Sequence, residues 1–146
     1  CCADAMGYVD PTKEVFAQFV ADDRPGPIQM LNLVRLRDQA AYEDGRESTG
    51  AEAYAAYGRE SGPIFKRLGG RIIWQGRFEL TVIGPSDERW DHCFIAEYPS
   101  VAAFGEMIHD PDYREAVKHR QAAVEDSRLI RHAVLRAGGT FGEIPD

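Results

Sequence analysis

Cysteine is scarce in this chain and poorly placed for metal or redox chemistry. Of three, Cys1 and Cys2 are adjacent at one end and Cys93 stands alone, so neither a disulfide framework nor a CxxC pair can be drawn. That usage suits a reducing compartment, and a cytoplasmic location is expected. Long apolar runs are missing too: nothing approaches the roughly 20 residues that a membrane-spanning helix requires. Basic residues are outnumbered, leaving a net charge of −7, which argues against a nucleic-acid surface. Phosphate and nucleophile signatures (GxGxxG, the P-loop, GxSxG) do not occur. The four histidines, at 92, 109, 119 and 132, have neither HxH nor HxxxH spacing, so no metal site is expected.

What is present is ordinary for a folded domain: 146 residues, 44% hydrophobic and 28% charged, enough for one core without staples. We read residues 1–9 as a loose start, 10–136 as one domain and 137–146 as a glycine-rich tail. The organising stretch is 27–38, PIQMLNLVRLRD. Ile28, Met30, Asn32, Val34 and Leu36 fall on one side and Gln29, Leu31, Leu33 and Arg35 on the other, so both sides are largely apolar. This predicts a central strand buried on two faces. Asn32 interrupts the first side. A buried amide left unpaired costs roughly 1–3 kcal/mol, so Asn32 needs a structural partner or a ligand.

Around that strand the punctuation is clear. Asp10-Pro11 predicts a helix over 11–21, with Asp10 as its cap. Residues 38–48 are polar and acidic and read as a mobile loop. Thr49 and Glu52 form a capping box for a helix that carries Ala53, Tyr57, Ile64 and Leu68 on one face and ends at Gly69-Gly70. Residues 71–84 read as a long strand, bent near Gly76, with Ile72, Trp74 and Phe78 on one side. A turn leads to a strand over 90–98, a short helix capped by Ser100, a helix opened by Asp110-Pro111 and reaching about 125, and a last strand over 127–135. Two successive βαβ units with antiparallel pairing give an α+β, ferredoxin-like split βαβ sheet, βαββαβ, preceded by a helix. Helices would cover one face only. The other would expose Leu31, Leu33 and Ile73, and a homodimer closing sheet against sheet would cover them.

Several segments together resemble a known family. They are Asp10-Pro-Thr, PIQMLNLVRLRD, Gly69-Gly-Arg-Ile-Ile-Trp-Gln-Gly, Trp90-Asp91 through Tyr98-Pro99-Ser100, and His109-Asp-Pro-Asp-Tyr113 followed by His119-Arg120. In combination they are similar to the domain of unknown function 1330 family, in the dimeric α+β barrel superfamily, and the likeness spans roughly Tyr8 to Val134. The resemblance implies the split βαβ fold, a dimer, and a small pocket between sheet and helices. It implies no single activity, because the superfamily includes cofactor-free monooxygenases, haem enzymes, lactone isomerases and stress-responsive binders. No histidine stands out as an axial haem ligand, and no cofactor is expected.

At 100° per residue, Tyr113, Val117, Arg120 and Val124 share one arc of the helix opened by Pro111. Arg120 therefore lies within the apolar arc. Either it is a structural cation, for which Glu97 is a candidate partner, or its guanidinium points into a cavity to hold a carboxylate or enolate. His119, at the rim of the arc, is either solvent-facing or a general acid or base. Tyr57 is core or a proton donor, and Asn32 is internally satisfied or polarises a substrate carbonyl. The expected catalytic set is Asn32, Tyr57, His119 and Arg120, with Met30, Trp74, Glu97 and Tyr113 lining the binding site. Two functions fit. One is a cofactor-independent enzyme acting on a small oxo- or hydroxy-substituted organic acid or aromatic. The other is a non-catalytic, ligand-binding or stress-response dimer using the same pocket for a small anionic or aromatic ligand.

Overall fold

The computed structural model describes residues 7–144; Cys1 and Cys2 lie outside the described residues. In chain order the elements are α1 (Lys13–Ala21), β1 (Ile28–Leu36), α2 (Gly50–Arg67), β2 (Arg71–Gly76), β3 (His92–Tyr98), α3 (Val101–His109), α4 (Pro111–Ala123) and β4 (Val124–Ala133). The four strands form one antiparallel sheet in the order β2-β3-β1-β4, so the strand from 27–38 is central. This is the ferredoxin-like α+β arrangement that the alternation predicts.

Local chemistry sets most element ends. Thr49 and Glu52 cap α2 reciprocally, with Thr49 Oγ1 accepting from the Glu52 amide at 3.0 Å and Glu52 accepting from the Thr49 amide at 2.8 Å. Past the end of α2, Gly69 takes φ +85°, where a side chain would be strained. Ser100 and Asp110 cap α3 and α4 as expected. For α1 the cap is Thr12, not Asp10: its hydroxyl accepts from the Val15 amide at 3.1 Å, and the helix begins two residues after Pro11.

Three further expectations are corrected. Residues 7–9 are held, with the Tyr8 amide donating to Asp126, Ser127 Oγ donating to the Tyr8 carbonyl, and Val9 packed against Val34, Ala123 and Val124. The acidic loop after β1 is tied down through its backbone: the Arg37 and Ala41 amides donate to the Ala123 and Ala122 carbonyls at the end of α4. The strand predicted over 71–84 stops at Gly76, and Leu80, Val82 and Ile83 beyond it are exposed. Its irregularity falls at Ile73, not Gly76, because the register against β3 shifts between Ile72 and Trp74. One extra residue reverses the facing of everything after it.

The helices cover one face of the sheet. Its buried core joins Ile28 and Met30 of β1 and Ala96 and Tyr98 of β3 to Ile64, Val101, Phe104, Met107 and Tyr113 of the helices. The opposite face carries Leu31, flanked by Ile95 and Ile130 in the register, and Leu33 opposite Cys93. Ile130 is 44% exposed and nothing among the described residues covers it. No helix among the described residues is long and apolar enough to cross a membrane.

Candidate functional site

A cavity of about 1400 Å³ opens between the helix-covered face of the sheet and helices α1, α2 and α4. Alternation along the strands chooses its floor. Met30 and Asn32 point in from β1, Phe94 and Ala96 from β3, and Ser127, Leu129 and Arg131 from β4. Tyr57 enters from α2, Tyr113, Val117 and Arg120 from α4, and Phe16 and Phe19 from α1.

Arg120 is the charged group whose position matters most. Nη1 donates to the Val9 carbonyl at 2.6 Å and Nη2 to Ser127 Oγ at 3.3 Å, using two of the five N–H groups of a guanidinium. Among the described residues, no carboxylate forms an ion pair with it. Glu97 does not. That carboxylate is on the outer face, accepting from Gln29 Nε2 at 3.1 Å and from Arg71 Nε at 2.9 Å, so the structural pair entertained for Arg120 does not form.

Asn32 donates from Nδ2 to the Met30 carbonyl two residues back at 3.0 Å, which fixes the amide while its oxygen remains available to the cavity. The Tyr57 and Tyr113 hydroxyls are 2.9 Å apart, so one donates to the other and the second proton is free for a ligand. Burial pushes the Tyr113 and Tyr54 phenols far above their ordinary range, with Tyr57 adding to the shift and Arg120 only partly offsetting it. At neutral pH both phenols therefore keep their protons.

Besides Glu97, two predicted members stand elsewhere. Trp74 is on the outer face: the shift at Ile73 pairs it with Ile95, and its ring folds over Gly76, where a Cβ would come within 2.7 Å of it. His119 neighbours Arg120 in sequence but faces away from the cavity. Its Nδ1 lies 2.6 Å from the Tyr42 hydroxyl and its Nε2 2.8 Å from Glu60, so it links the acidic loop to α2. A step of 100° was enough to separate the two side chains. The structure thus brings together Met30, Asn32, Tyr57, Tyr113 and Arg120 and leaves out Trp74, Glu97 and His119.

His92 was missed. It lines the cavity from the first position of β3 and stacks on Tyr54, with ring centroids 4.8 Å apart at 24°. The signal was present, since His92 shares its strand face with Phe94, Ala96 and Tyr98. In the register it lies diagonally across from Asn32, which faces Phe94. Such diagonal neighbours are about 7–8 Å apart, close enough to address one small group. Among the described residues no three His, Cys, Asp or Glu side chains converge as a metal site requires.

The family model for Domain of unknown function (DUF1330) matches residues 45–133. The chain belongs to that family. The match covers α2 through β4 and is narrower than the span over which the motifs resemble the family. Similarity to the DUF1330 chain extends further in solved structures. The methylated RPA0582 protein is 75% identical, with a TM-score of 0.90, over 92% of this chain and 99% of that one. RPA0582 from Rhodopseudomonas palustris, described as a protein of unknown function, is likewise 75% identical, with a TM-score of 0.88, over 90% of this chain and 100% of that one. A dimeric protein of unknown function and ferredoxin-like fold from Bacteroides fragilis is 14% identical, with a TM-score of 0.47, over 74% of this chain and 96% of that one. No curated protein matches this DUF1330 chain.

Proposed function

We propose that this protein binds an organic anion in the cavity, its carboxylate or enolate at Arg120 with Asn32 and the Tyr57–Tyr113 pair as neutral donors. The observation that carries this reading is Arg120 itself. A guanidinium in a largely apolar cavity is costly unless compensated, and here only a carbonyl and a hydroxyl compensate it within the described residues. An anionic ligand would complete its shell, and the planar fork suits a carboxylate. A thermal-shift screen of organic acids tests the reading: hits should stabilise the wild type and lose most of that effect in Arg120→Met. A screen with no acid among its hits would overturn it.

Catalysis is the second reading, and His92 favours it. With His119 engaged elsewhere, His92 is the imidazole on the cavity wall, diagonal to the Asn32 amide. Turnover assays on the hits, repeated with His92→Gln, separate enzyme from binder. Stabilisation without product favours the binder.

The working unit in this proposal is a homodimer closed over the outer sheet face. Polar pairs frame that face, Gln29–Glu97–Arg71 at one end and Arg35–Glu125 at the other, around an apolar centre of Leu31, Leu33 and Ile130. An apolar centre with a polar rim is the anatomy of a protein interface. The free thiol of Cys93 fits a cytoplasmic setting.

A further inference from the structure

The cavity is larger than a small oxo acid needs. Sites for drug-sized ligands measure about 300–1,000 Å³, and this one reaches about 1400 Å³. Its lining is largely apolar and follows the sheet along β4. Arg120 reaches Ser127, which pairs with Val34, whereas the far wall is built around Arg131, which pairs with Met30. Four residues of β4 separate the two, roughly 13 Å at strand rise.

The two arginines differ in what they have to offer. Nη1 and Nη2 of Arg131 donate to the Phe19 and Asp22 carbonyls at 3.2 and 2.8 Å, capping the end of α1, and its guanidinium lies over the Phe19 ring at 4.9 Å. It is therefore committed to holding the helix. Arg131 also has the Asp22 carboxylate 3.8 Å away, whereas no carboxylate among the described residues pairs with Arg120, so an anionic head belongs at the Arg120 end. At the other end Phe19 packs on Phe104, centroids 4.9 Å apart, with Met107 and Ile108 beside them. Above them α1 has no buried residue of its own and reaches the core through Phe16 and Phe19. It is a cover resting on two rings, with methionines beneath that adapt to irregular apolar shapes.

We propose that the ligand is a long-chain carboxylic acid, its carboxylate on Arg120 and its chain extended along the sheet beneath Phe16 and Phe19. This rests on the anion-binding reading and adds the length and apolar character of the ligand. The head stays near Asn32 and the Tyr57–Tyr113 pair, where any chemistry at the carboxyl end would occur.

Calorimetric titration of the full chain with acetate, octanoate, laurate, palmitate and uncharged dodecanol tests this. Affinity should rise at least tenfold from octanoate to laurate, because each buried methylene contributes strongly. Arg120→Met should weaken laurate at least tenfold and leave dodecanol unchanged, and Phe19→Ala should weaken laurate more than octanoate. Unfolding midpoints of the unliganded variants verify folding, and Arg120→Lys, keeping the charge, should recover part of the loss. Arg120-dependent binding that is flat across the acids would overturn the long-chain assignment and leave the anion site standing. Equal binding of laurate and dodecanol, or no binding of any acid, would overturn both.

Discussion

The two faces of the sheet receive apolar side chains from the same strands but treat their polar residues in opposite ways. On the outer face the polar groups find one another: Glu97 takes Gln29 and Arg71, and Arg35 takes Glu125. On the helix-covered face three of them find no charged partner among the described residues. Arg120 turns to a backbone carbonyl and a serine, Asn32 to its own strand, and His92 to the face of a tyrosine. In the proposed reading, the face whose polar groups are mutually satisfied around an apolar centre meets a second copy, and the face whose polar groups keep spare donors beside apolar space takes the small molecule.

The largest expected effect breaks the outer half of this comparison. Leu31→Asp puts a charge at the centre of the outer face, between Ile95 and Ile130. In the isolated chain the position is only partly buried, so folding should survive. Light scattering should fall from about twice the 16.3 kDa chain mass to the chain mass itself, while Leu31→Ala stays dimeric. A wild type that is monomeric at micromolar concentration would show that the outer face is not an interface.

Next in size is a test of whether the faces are independent. Arg120→Met removes the hydrogen bonds to Val9 and Ser127 and should cost about 1–2 kcal/mol in denaturant unfolding. Were Arg120 a structural partner of Glu97, adding Glu97→Gln would recover part of that. Because the two groups lie on opposite faces, the double-mutant coupling should instead be under about 0.5 kcal/mol. A larger coupling would mean that the two faces communicate.

The same cycle shows how much the sequence could say. Strict alternation through β1 put Met30 and Asn32 on the floor of the cavity, and the arc of α4 brought Tyr113 and Arg120 to it; both are periodicities that backbone geometry enforces. Trp74 failed because parity is lost at a bulge, and nothing in Arg71-Ile72-Ile73-Trp74 marks Ile73 as the extra residue. His119 failed for another reason. Its partners, Tyr42 and Glu60, come from a loop and a neighbouring helix, and no local pattern encodes that contact. The strand predicted beyond Gly76 rested on alternation alone, and alternation supplies no partner strand. The Thr49–Glu52 capping box and the glycine stop at Gly69, being local, were legible, although the cap of α1 fell at Thr12 and not at Asp10.

A smaller effect separates the two sides of α4. Tyr42→Phe removes the hydroxyl from His119, and His119→Gln also disturbs the contact with Glu60. Each should cost about 0.5–1.5 kcal/mol of stability and leave the affinity for an organic acid within twofold of wild type. An affinity loss matching that of Arg120→Met would return His119 to the site.

The smallest expected effect is a pH dependence on the outer face. The Gln29 amide holds the Glu97 carboxyl below its ordinary value; partial burial opposes this, and the Arg71 guanidinium adds to it. A carboxyl with a depressed folded pKa binds fewer protons folded than unfolded, so the unfolded chain gains more from acid. Its contribution is fully present above the unfolded glutamate value of about 4.3 and is lost as pH falls through the lower folded value. Glu97→Gln keeps an acceptor for Arg71 but cannot titrate. The stability difference between wild type and Glu97→Gln should therefore be constant near neutrality, at less than about 1 kcal/mol for a partly exposed pair, and should shrink in the acid range. In the dimer, where a partner would screen this rim from water, the difference should be larger than in the Leu31→Asp monomer. Equal differences in the two backgrounds would place Glu97 outside the interface and move the rim of the outer face inwards.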